Sequence, residues 1–372
     1  MIKRVRIEKV VSQGEGLARY EGKALFVGQV LPGELVDVRI VQQKKDFSRG
    51  ILVDIIEPSD ARVIPACPYY GRCGGCDFQY ASIEAQQEIK RQLVKENLQR
   101  LGDIEADSYE ELPLASAKQW GYRSRVRFHT DWQNGNVGFL ERQSTTLVDI
   151  NHCMVLCDAL NAYLGSKRKL LLKREQKQVS ALSNGSDVAF VDQEVSFELL
   201  GKKIVSDAQV FFQSNYLLLP QMGEFVHQHA QGERIIDLYS GVGTFALCVE
   251  SPLNTVIAVE KDPRCLALAG KNLQYTHFYS QSGENWSDSH QLKAADTIIV
   301  DPPRVGLSKP VIQAITALRP QTIMYVSCNS ATLARDAKAF SQGGYVLTKL
   351  KMFDLFAQTS HTESAVVMKL SS

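Results

Sequence analysis

The sequence predicts an α/β protein in three parts: a small N-terminal β-barrel, a mostly-β middle and a C-terminal doubly wound, Rossmann-like sheet. Three observations carry this. Residues 3–57 hold short apolar runs ("RIEKVV", "ALFVGQV", "LVDVRIV", "GILVDII") punctuated by glycines and closed by Pro58, the pattern of a small OB-like barrel. From about residue 215, strand-like runs ("RIIDLY", "TVIAVE", "DTIIV", "TIMYVS") alternate with helical stretches, as parallel strands with helical crossovers require. The length, 372 residues, exceeds what one hydrophobic core usually organises. The parts are expected at 1–58, 59–200 and 201–372.

The first part is also the more basic end: residues 1–50 hold ten Lys/Arg against six Asp/Glu, although the formal net charge of the chain is only +1. A second cluster, "KQWGYRSRVRFH", interleaves Lys118, Arg123, Arg125 and Arg127 with Trp120, Tyr122 and Phe128, and a third, "KRKLLLKREQK", spans 167–177. Basic residues mixed with aromatics suit a nucleic-acid surface, though each alone is also an ordinary solvated face. No apolar run reaches ~18 residues, so no membrane span is expected. The start "MIKRVRIEKVV" lacks the apolar core of a signal peptide. A cytoplasmic chain with no obligate protein partner, acting as a monomer, is the expectation. Its eight cysteines then suit metal binding or catalysis better than disulfides.

In the middle part, "ACPYYGRCGGC" (66–76) precedes a helix expected over about Ser82 to Leu101. Ser82 is its N-cap, Ile83, Ile89, Leu93 and Leu98 form its apolar face, and Gly102 stops it. Asn134-Gly135 signals a hairpin in "VRFHTDWQNGNVGFL", and "SNGSD" (183–187) signals a second. Cys67, Cys73 and Cys76 are spaced C-x5-C-x2-C, which serves zinc or iron–sulfur ligation equally well. Cys153 and Cys157 both offer a fourth thiolate. Cys248 and Cys265 sit among apolar neighbours in helical stretches and read as core.

The third part carries a nucleotide-type site. "RIIDLYSGVGTFAL" is a strand, a turn and a helix start, with Gly241 and Gly243 allowing close backbone approach to a ligand. Glu260 ends the next strand, 23 residues after Asp237, where an acid can accept both ribose hydroxyls. Asp301 ends a later strand in "VDPPR", at the sheet edge where open α/β sheets bind ligands. This set resembles S-adenosylmethionine-dependent methyltransferases of the doubly wound class. Amino-directed nucleic-acid members usually place an aromatic ring after Asp/Asn-Pro-Pro. Here Arg304 stands there, which leaves carbon methylation open. C5 of uracil is a poor nucleophile until a thiolate adds to C6. Cys328, in "IMYVSCNSATLARD", is expected at a strand end before a helix N-terminus, a context that lowers a thiol pKa. His361 and Glu363 follow as base candidates.

"DLYSGVGTF", "VDPPRVG", "YVSCNSATLARD" and "FAQTSHTES", in this order, resemble the bacterial RNA uridine-5 methyltransferase family. The N-terminal barrel resembles a TRAM domain, and "CPYYGRCGGC" resembles the iron–sulfur segment of members that modify 23S ribosomal RNA. By this resemblance Cys328 is the nucleophile and Glu363 the base that takes the C5 proton, with His361 supportive or merely packed. Gln213, Tyr239, Glu260 and Asp301 line the S-adenosylmethionine site with the glycine turn. Tyr239 stands where the family often has Phe. Arg123 and Arg125 contact RNA phosphates. A 4Fe–4S cluster is held by Cys67, Cys73, Cys76 and Cys153, with Cys157 a spare. The product is 5-methyluridine in 23S rRNA; a tRNA T-loop uridine or an RNA cytosine are the alternatives. Cytosine-5 enzymes commonly present Pro-Cys or Thr-Cys, whereas here the pair is Ser327-Cys328.

Overall fold

The computed structural model describes residues 2–173, 175–288 and 294–371. Arg174, in the third basic cluster, lies outside them. The chain divides into two compact units: Met1–Leu93 with Gly138–Ile150 and Phe356–His361, and Val94–Val137 with Asn151–Leu355 and Thr362–Ser372.

The first unit opens with six strands: β1 (Ile2–Arg6), β2 (Lys9–Val11), β3 (Glu15–Tyr20), β4 (Lys23–Gly28), β5 (Leu35–Gln43) and β6 (Phe47–Glu57), in the order β1-β5-β6-β4-β3-β2. All neighbours pair antiparallel except β4 with β6. The alternation of apolar and polar residues turns one face inward, where Val5, Ile7, Ala18, Leu25, Val27, Val30, Val36 and Val38 form the core. Buried Glu34 accepts from the Leu31 and Ser59 amides and from Arg62 Nε at 2.6 Å, which fastens the chain leaving the barrel. The cysteine-bearing segment then runs in turns to helix α1 (Ile83–Gly102). Ser82 Oγ accepts the Ala85 amide at the helix start, as its N-cap role requires. Val10, Leu31, Phe78, Tyr80, Ala81 and Ile89 pack a second small core in this unit.

Beyond α1 come β7 (Glu110–Glu111), β8 (Arg125–Asp131), β9 (Asn136–Leu140), β10 (Leu147–Asp149) and the short α2 (Asp158–Asn161). In the first unit β9 and β10 pair Leu140 with Leu147, and the Gly74 amide donates to the Leu140 carbonyl at 2.9 Å. In the second unit, β11 (Gln178–Ser183) pairs antiparallel with both β8 and β12 (Val188–Ala189), and β13 (Glu194–Leu199) with β14 (Lys202–Asp207). The hairpin expected at 183–187 is therefore the β11–β12 turn. At the other expected turn, the Asp131 carboxylate accepts the amides of Gln133 and Asn134, and Gly135 takes φ of 72°.

After α3 (Leu219–His229) the second unit builds its main sheet. The elements are β15 (Arg234–Leu238), α4 (Thr244–Val249), β16 (Thr255–Glu260), α5 (Pro263–Asn272), β17 (Thr276–Ser280), α6 (Gly283–Asp288), β18 (Thr297–Val300), α7 (Lys309–Leu318), β19 (Thr322–Ser327), α8 (Ser330–Gln342), β20 (Tyr345–Phe353) and β21 (Glu363–Leu370). Strand order is β17-β16-β15-β18-β19-β21-β20-β7. β15 to β19 run parallel, as the alternating pattern predicts. β21 is antiparallel to both neighbours. The order reverses between β15 and β18, so their carboxyl ends face the crevice where such sheets bind ligands. β18 and β19 are buried throughout, which explains their unbroken apolar runs. Among the described residues no helix is long and apolar enough to cross a membrane.

Candidate active site

At the end of β15 the chain turns through Tyr239 and Gly241, with φ of 61° and 54°, into Gly243 at 84°. The two glycines answer different needs. A Cβ on Gly243 would strike Leu273 at 2.5 Å, so that position is small for packing. A Cβ on Gly241 would meet nothing within 4 Å, which leaves its left-handed backbone open to a ligand. Glu260, ending β16, accepts the Gly241 amide at 3.0 Å through one oxygen and the amides of Lys261 and Asp262 through the other. Its carboxylate is thus locked in place with lone pairs to spare. Tyr239, Glu260, Gln281, Gly283, Glu284 and Pro303 are among the residues that line a cavity of about 120 Å³ here.

Beneath the turn, Asp237 is buried at 1 % exposure; one oxygen accepts the Ala246 amide at 2.9 Å, and the other has no partner among the described residues. Burial pushes its pKa up to about 8, and Asp301 and Glu260 add to the rise. Asp301 keeps part of its surface exposed, yet burial of its carboxyl raises it as well.

The reactive cluster depends on strand register. β19 and β21 pair Ser327 with Ser364, so the next positions, Cys328 and Glu363, stand opposite each other at the strand ends. Glu363 is 4 % exposed. Burial, then Asp301, push its pKa well above the usual carboxylate range, and Arg304 opposes them. Asn329 caps α8 by accepting the Ala331 amide, and its Nδ2 donates to the Arg304 carbonyl at 2.9 Å. Thr332 Oγ1 donates to the same carbonyl. Buried Asp336 ties the 302–307 loop down by accepting the Leu307 amide at 2.8 Å and Tyr325 OH at 2.7 Å. The Arg304 guanidinium thereby reaches the Cys328 thiol and hydrogen-bonds it.

One expectation is reversed. The Cys328 thiol is raised, not lowered: burial is the main cause, Glu363 the next, and the Arg304 hydrogen bond only offsets them. The strand-end position had suggested a helix-favoured thiolate, but the carboxylate that opposes it comes from 35 residues further along the chain.

Comparison with known proteins identifies the lineage. Residues 288–371 match the tRNA (Uracil-5-)-methyltransferase family, and residues 2–53 match the TRAM domain. The chain is 31% identical to a 23S rRNA (uracil(1939)-C(5))-methyltransferase RlmD of Vibrio parahaemolyticus, covering 99% of this chain and 96% of that one. It is 30% identical to the RlmD of Shewanella amazonensis, over 98% and 95% of the two chains. The chain belongs to the S-adenosylmethionine-dependent RNA uracil-5 methyltransferases. The fold matches a tRNA (uracil-54, C5)-methyltransferase of Pyrococcus abyssi in complex with S-adenosyl-L-homocysteine, with TM-score 0.78, 21% identity and coverage of 98% and 99%.

For a uracil-5 methyltransferase the structure thus gathers Cys328, Glu363 and Asp301 at adjoining strand ends, and Tyr239 and Glu260 around one cavity, with the Gly241 amide bonded to Glu260. Gln213 is 5 % exposed, and its carbonyl accepts from Ser124 Oγ. Arg123 and Arg125 lie together at the start of β8, with Arg127 next on the same face. Burial, then Arg127 and Arg123, lower the Arg125 pKa, and its buried Nε has no partner among the described residues. Asp207 opposes that fall.

Sequence reasoning missed Arg304 as a partner of the thiol, having read it only as the missing aromatic. It also missed Gln281, whose buried Nε2 has no partner among the described residues. The "VDPPR" context could have flagged the first; nothing in "FYSQSGENW" flags the second. An orphaned amide and a fixed carboxylate around one cavity, with an open left-handed glycine bonded to that carboxylate, fit an adenosine-bearing ligand.

The cysteines divide by unit. Cys67, Cys73 and Cys76 are half-exposed in the first, and the Gly75 amide donates to Cys73 Sγ at 3.4 Å. In the second, Cys153 is half-exposed in a loop pinned by Asn161, whereas Cys157 is buried at 2 %. Among the described residues no group of three or more His, Cys, Asp or Glu is placed to hold a metal ion. The donors have iron–sulfur chemistry. Cys248 and Cys265 are buried, and burial pushes both thiols up to about 12. In the first unit His361 is exposed and meets Phe356 edge-on at 6.2 Å.

Proposed function

We propose that this enzyme methylates C5 of a uridine in 23S rRNA, with Cys328 as nucleophile and Glu363 as base. The observation that carries the chemistry is the β19–β21 register, which sets thiol and carboxyl face to face beside Arg304. The RNA target rests on two relatives at 30% and 31% identity, both named as 23S rRNA enzymes.

S-adenosylmethionine supplies an electrophilic methyl group on a sulfonium. Gln213, Tyr239, Gly241, Gly243, Glu260 and Asp301 hold it, and Gln281 adds an amide toward the adenine. The Cys328 thiolate adds to C6, making an S–C6 bond and placing the electron pair on C5 and O4. C5 then bonds the methyl carbon as the bond from that carbon to the sulfonium sulfur breaks, its electron pair staying on sulfur so that S-adenosylhomocysteine leaves. Glu363 takes the C5 proton, the S–C6 bond breaks and its electron pair returns to sulfur. Arg304 favours the thiolate at the first step and the departing thiolate at the last, against a raised thiol pKa.

Arg123 and Arg125 grip phosphates, with Arg127 next along β8. The barrel at 1–58 adds RNA contacts as a TRAM domain. A 4Fe–4S cluster on Cys67, Cys73, Cys76 and Cys153 is the finer part of the proposal. Its support is the soft, half-exposed donor set, with Cys157 too buried to compete.

The test of the target is a mass map of 5-methyluridine in 23S rRNA and tRNA from cells with and without the gene. Loss of a 23S mark with the tRNA mark intact is expected. Loss of the tRNA mark alone would keep the chemistry and overturn the substrate. Loss of a 5-methylcytidine instead would overturn the base.

A further inference from the structure

Within the first unit, a hydrogen-bonded clamp grips the segment Phe356–Ser360. Asp77 is its centre. The Asp77 carboxylate accepts the Ser360 amide at 2.6 Å with one oxygen and Ser360 Oγ at 2.9 Å with the other. The amides of Asp77 and Phe78 both donate to the Gln358 carbonyl, at 3.1 and 3.0 Å. Gln86 and Gln358, 1 % and 4 % exposed, bond reciprocally: the Gln358 amide donates to Gln86 Oε1 at 2.9 Å, and Gln86 Nε2 to Gln358 Oε1 at 3.0 Å. Lys90, fully buried, donates to the Phe356 carbonyl at 3.0 Å.

Two facts of chain order give this clamp its meaning. Asp77 directly follows Cys76, the last thiol of the cysteine segment. Ser360 lies three residues before Glu363, the first residue of β21. A loop of this length with no regular structure would ordinarily be mobile. Here seven side-chain and backbone bonds hold it, several of them buried, where each counts for more than in water. A carboxylate that must meet one C–H bond gains from such fixing, since a displacement of ~1 Å can cost ~100-fold in rate.

We propose that Asp77 is a positioning residue for the base: by holding Ser360 it sets where Glu363 begins, and it couples the cysteine segment to removal of the C5 proton. This rests on the assignment of Glu363 as that base. Asp77→Ala should therefore slow the last chemical step while leaving thiol addition and methyl transfer in place.

The experiment is a single-turnover assay with radiolabelled S-adenosylmethionine and total RNA from cells lacking the gene. Both released product and denaturation-resistant protein–RNA adduct are measured. Glu363→Gln is the reference and should accumulate methylated adduct. Asp77→Ala should lower the turnover rate by roughly 10- to 100-fold, with KM for RNA unchanged and adduct accumulating as in the reference. Asp77→Asn should restore turnover, because its Oδ1 still accepts the Ser360 amide and its Nδ2 can donate to Ser360 Oγ. Ser360→Ala, which removes one of the two bonds at a half-exposed site, should show a weaker form of the same phenotype and serves if Asp77→Ala folds poorly.

A merely structural role would lower adduct and product in parallel and would not be rescued by Asn. That result, or wild-type turnover in both Asp77→Ala and Ser360→Ala, overturns the proposal while adduct in Glu363→Gln leaves the base assignment standing. Absence of adduct in Glu363→Gln overturns both.

Discussion

Two regions of this molecule use cysteine, and they are built in opposite ways. Cys328 sits at the end of a strand buried along its whole length, and its partner Glu363 is delivered by backbone pairing. The thiol, the carboxyl and Arg304 are in place without any ligand. Cys67, Cys73 and Cys76 sit on a segment of turns, half-exposed, and are not gathered into a metal-holding group among the described residues. Strand register fixes positions to a fraction of a residue repeat, because slipping by one would turn every side chain to the other face. Turns tied by single hydrogen bonds impose no such rule. The strand-end cluster is therefore held by the sheet, whereas the cysteine segment is held by the bonds of its turns.

The contrast can be broken most decisively at the nucleophile. Cys328→Ala should abolish methyl transfer, by about 10⁴-fold or more, with S-adenosylmethionine binding retained by equilibrium dialysis. Turnover within tenfold of wild type would remove Cys328 from the mechanism. On the other side, Cys76→Ser should remove most of the iron and the brown colour of protein purified without oxygen. A variant with full iron content would take Cys76 out of the ligand set, and a wild-type protein without iron would discard the cluster.

A smaller effect probes how firmly the strand-end site is held. Asp336→Ala orphans buried Tyr325 OH and the Leu307 amide, and should lower unfolding free energy by about 3 kcal/mol in denaturant titration. The variant should also lose activity, as the 302–307 loop releases Arg304.

Finer still are the charges around the thiol. Glu363 raises the Cys328 pKa and Arg304 lowers it. Alkylation of Cys328 followed against pH should shift to lower pH in Glu363→Gln and to higher pH in Arg304→Ala. Unmoved profiles in both would separate these residues from the thiol.

The smallest effect concerns Asp237, whose folded pKa of about 8 lies above its ordinary value of 3.8. A raised carboxyl stabilises the fold fully below pH ~4, and that contribution is lost as pH climbs through 8. The thermal midpoint should fall by a few degrees from pH 6 to pH 9, and Asp237→Asn should flatten the fall. An equal slope in the variant would assign it to other groups.

Much of this was legible in the sequence. The four apolar runs from "RIIDLY" to "TIMYVS" became β15, β16, β18 and β19, because strands buried on both faces need continuous apolar residues. Gly241, Glu260 and Asp301 were legible because the carboxyl ends of parallel strands converge on one edge. The β20–β21 hairpin was not read as strands. Glu363–Met368 is buried at every position, so "ESAVVM" shows no alternation, and "FAQTSHT" before it gives no regular period. Arg304 was legible as a residue and misread as to role, since its neighbours are side chains from other strands.

The sequence by itself determined the layers, the parallel sheet, the chemistry-bearing residue types and the family they resemble, because these depend on periodicity and on motifs local in the chain. Only the tertiary structure decided that Cys328 faces Glu363, that burial raises the thiol rather than lowering it, and that Asp77 holds Ser360 in the loop that leads to β21. Each of these is a meeting of residues separated by tens to hundreds of positions. Pairing register and burial set such meetings, and neither is written in any local stretch of the chain.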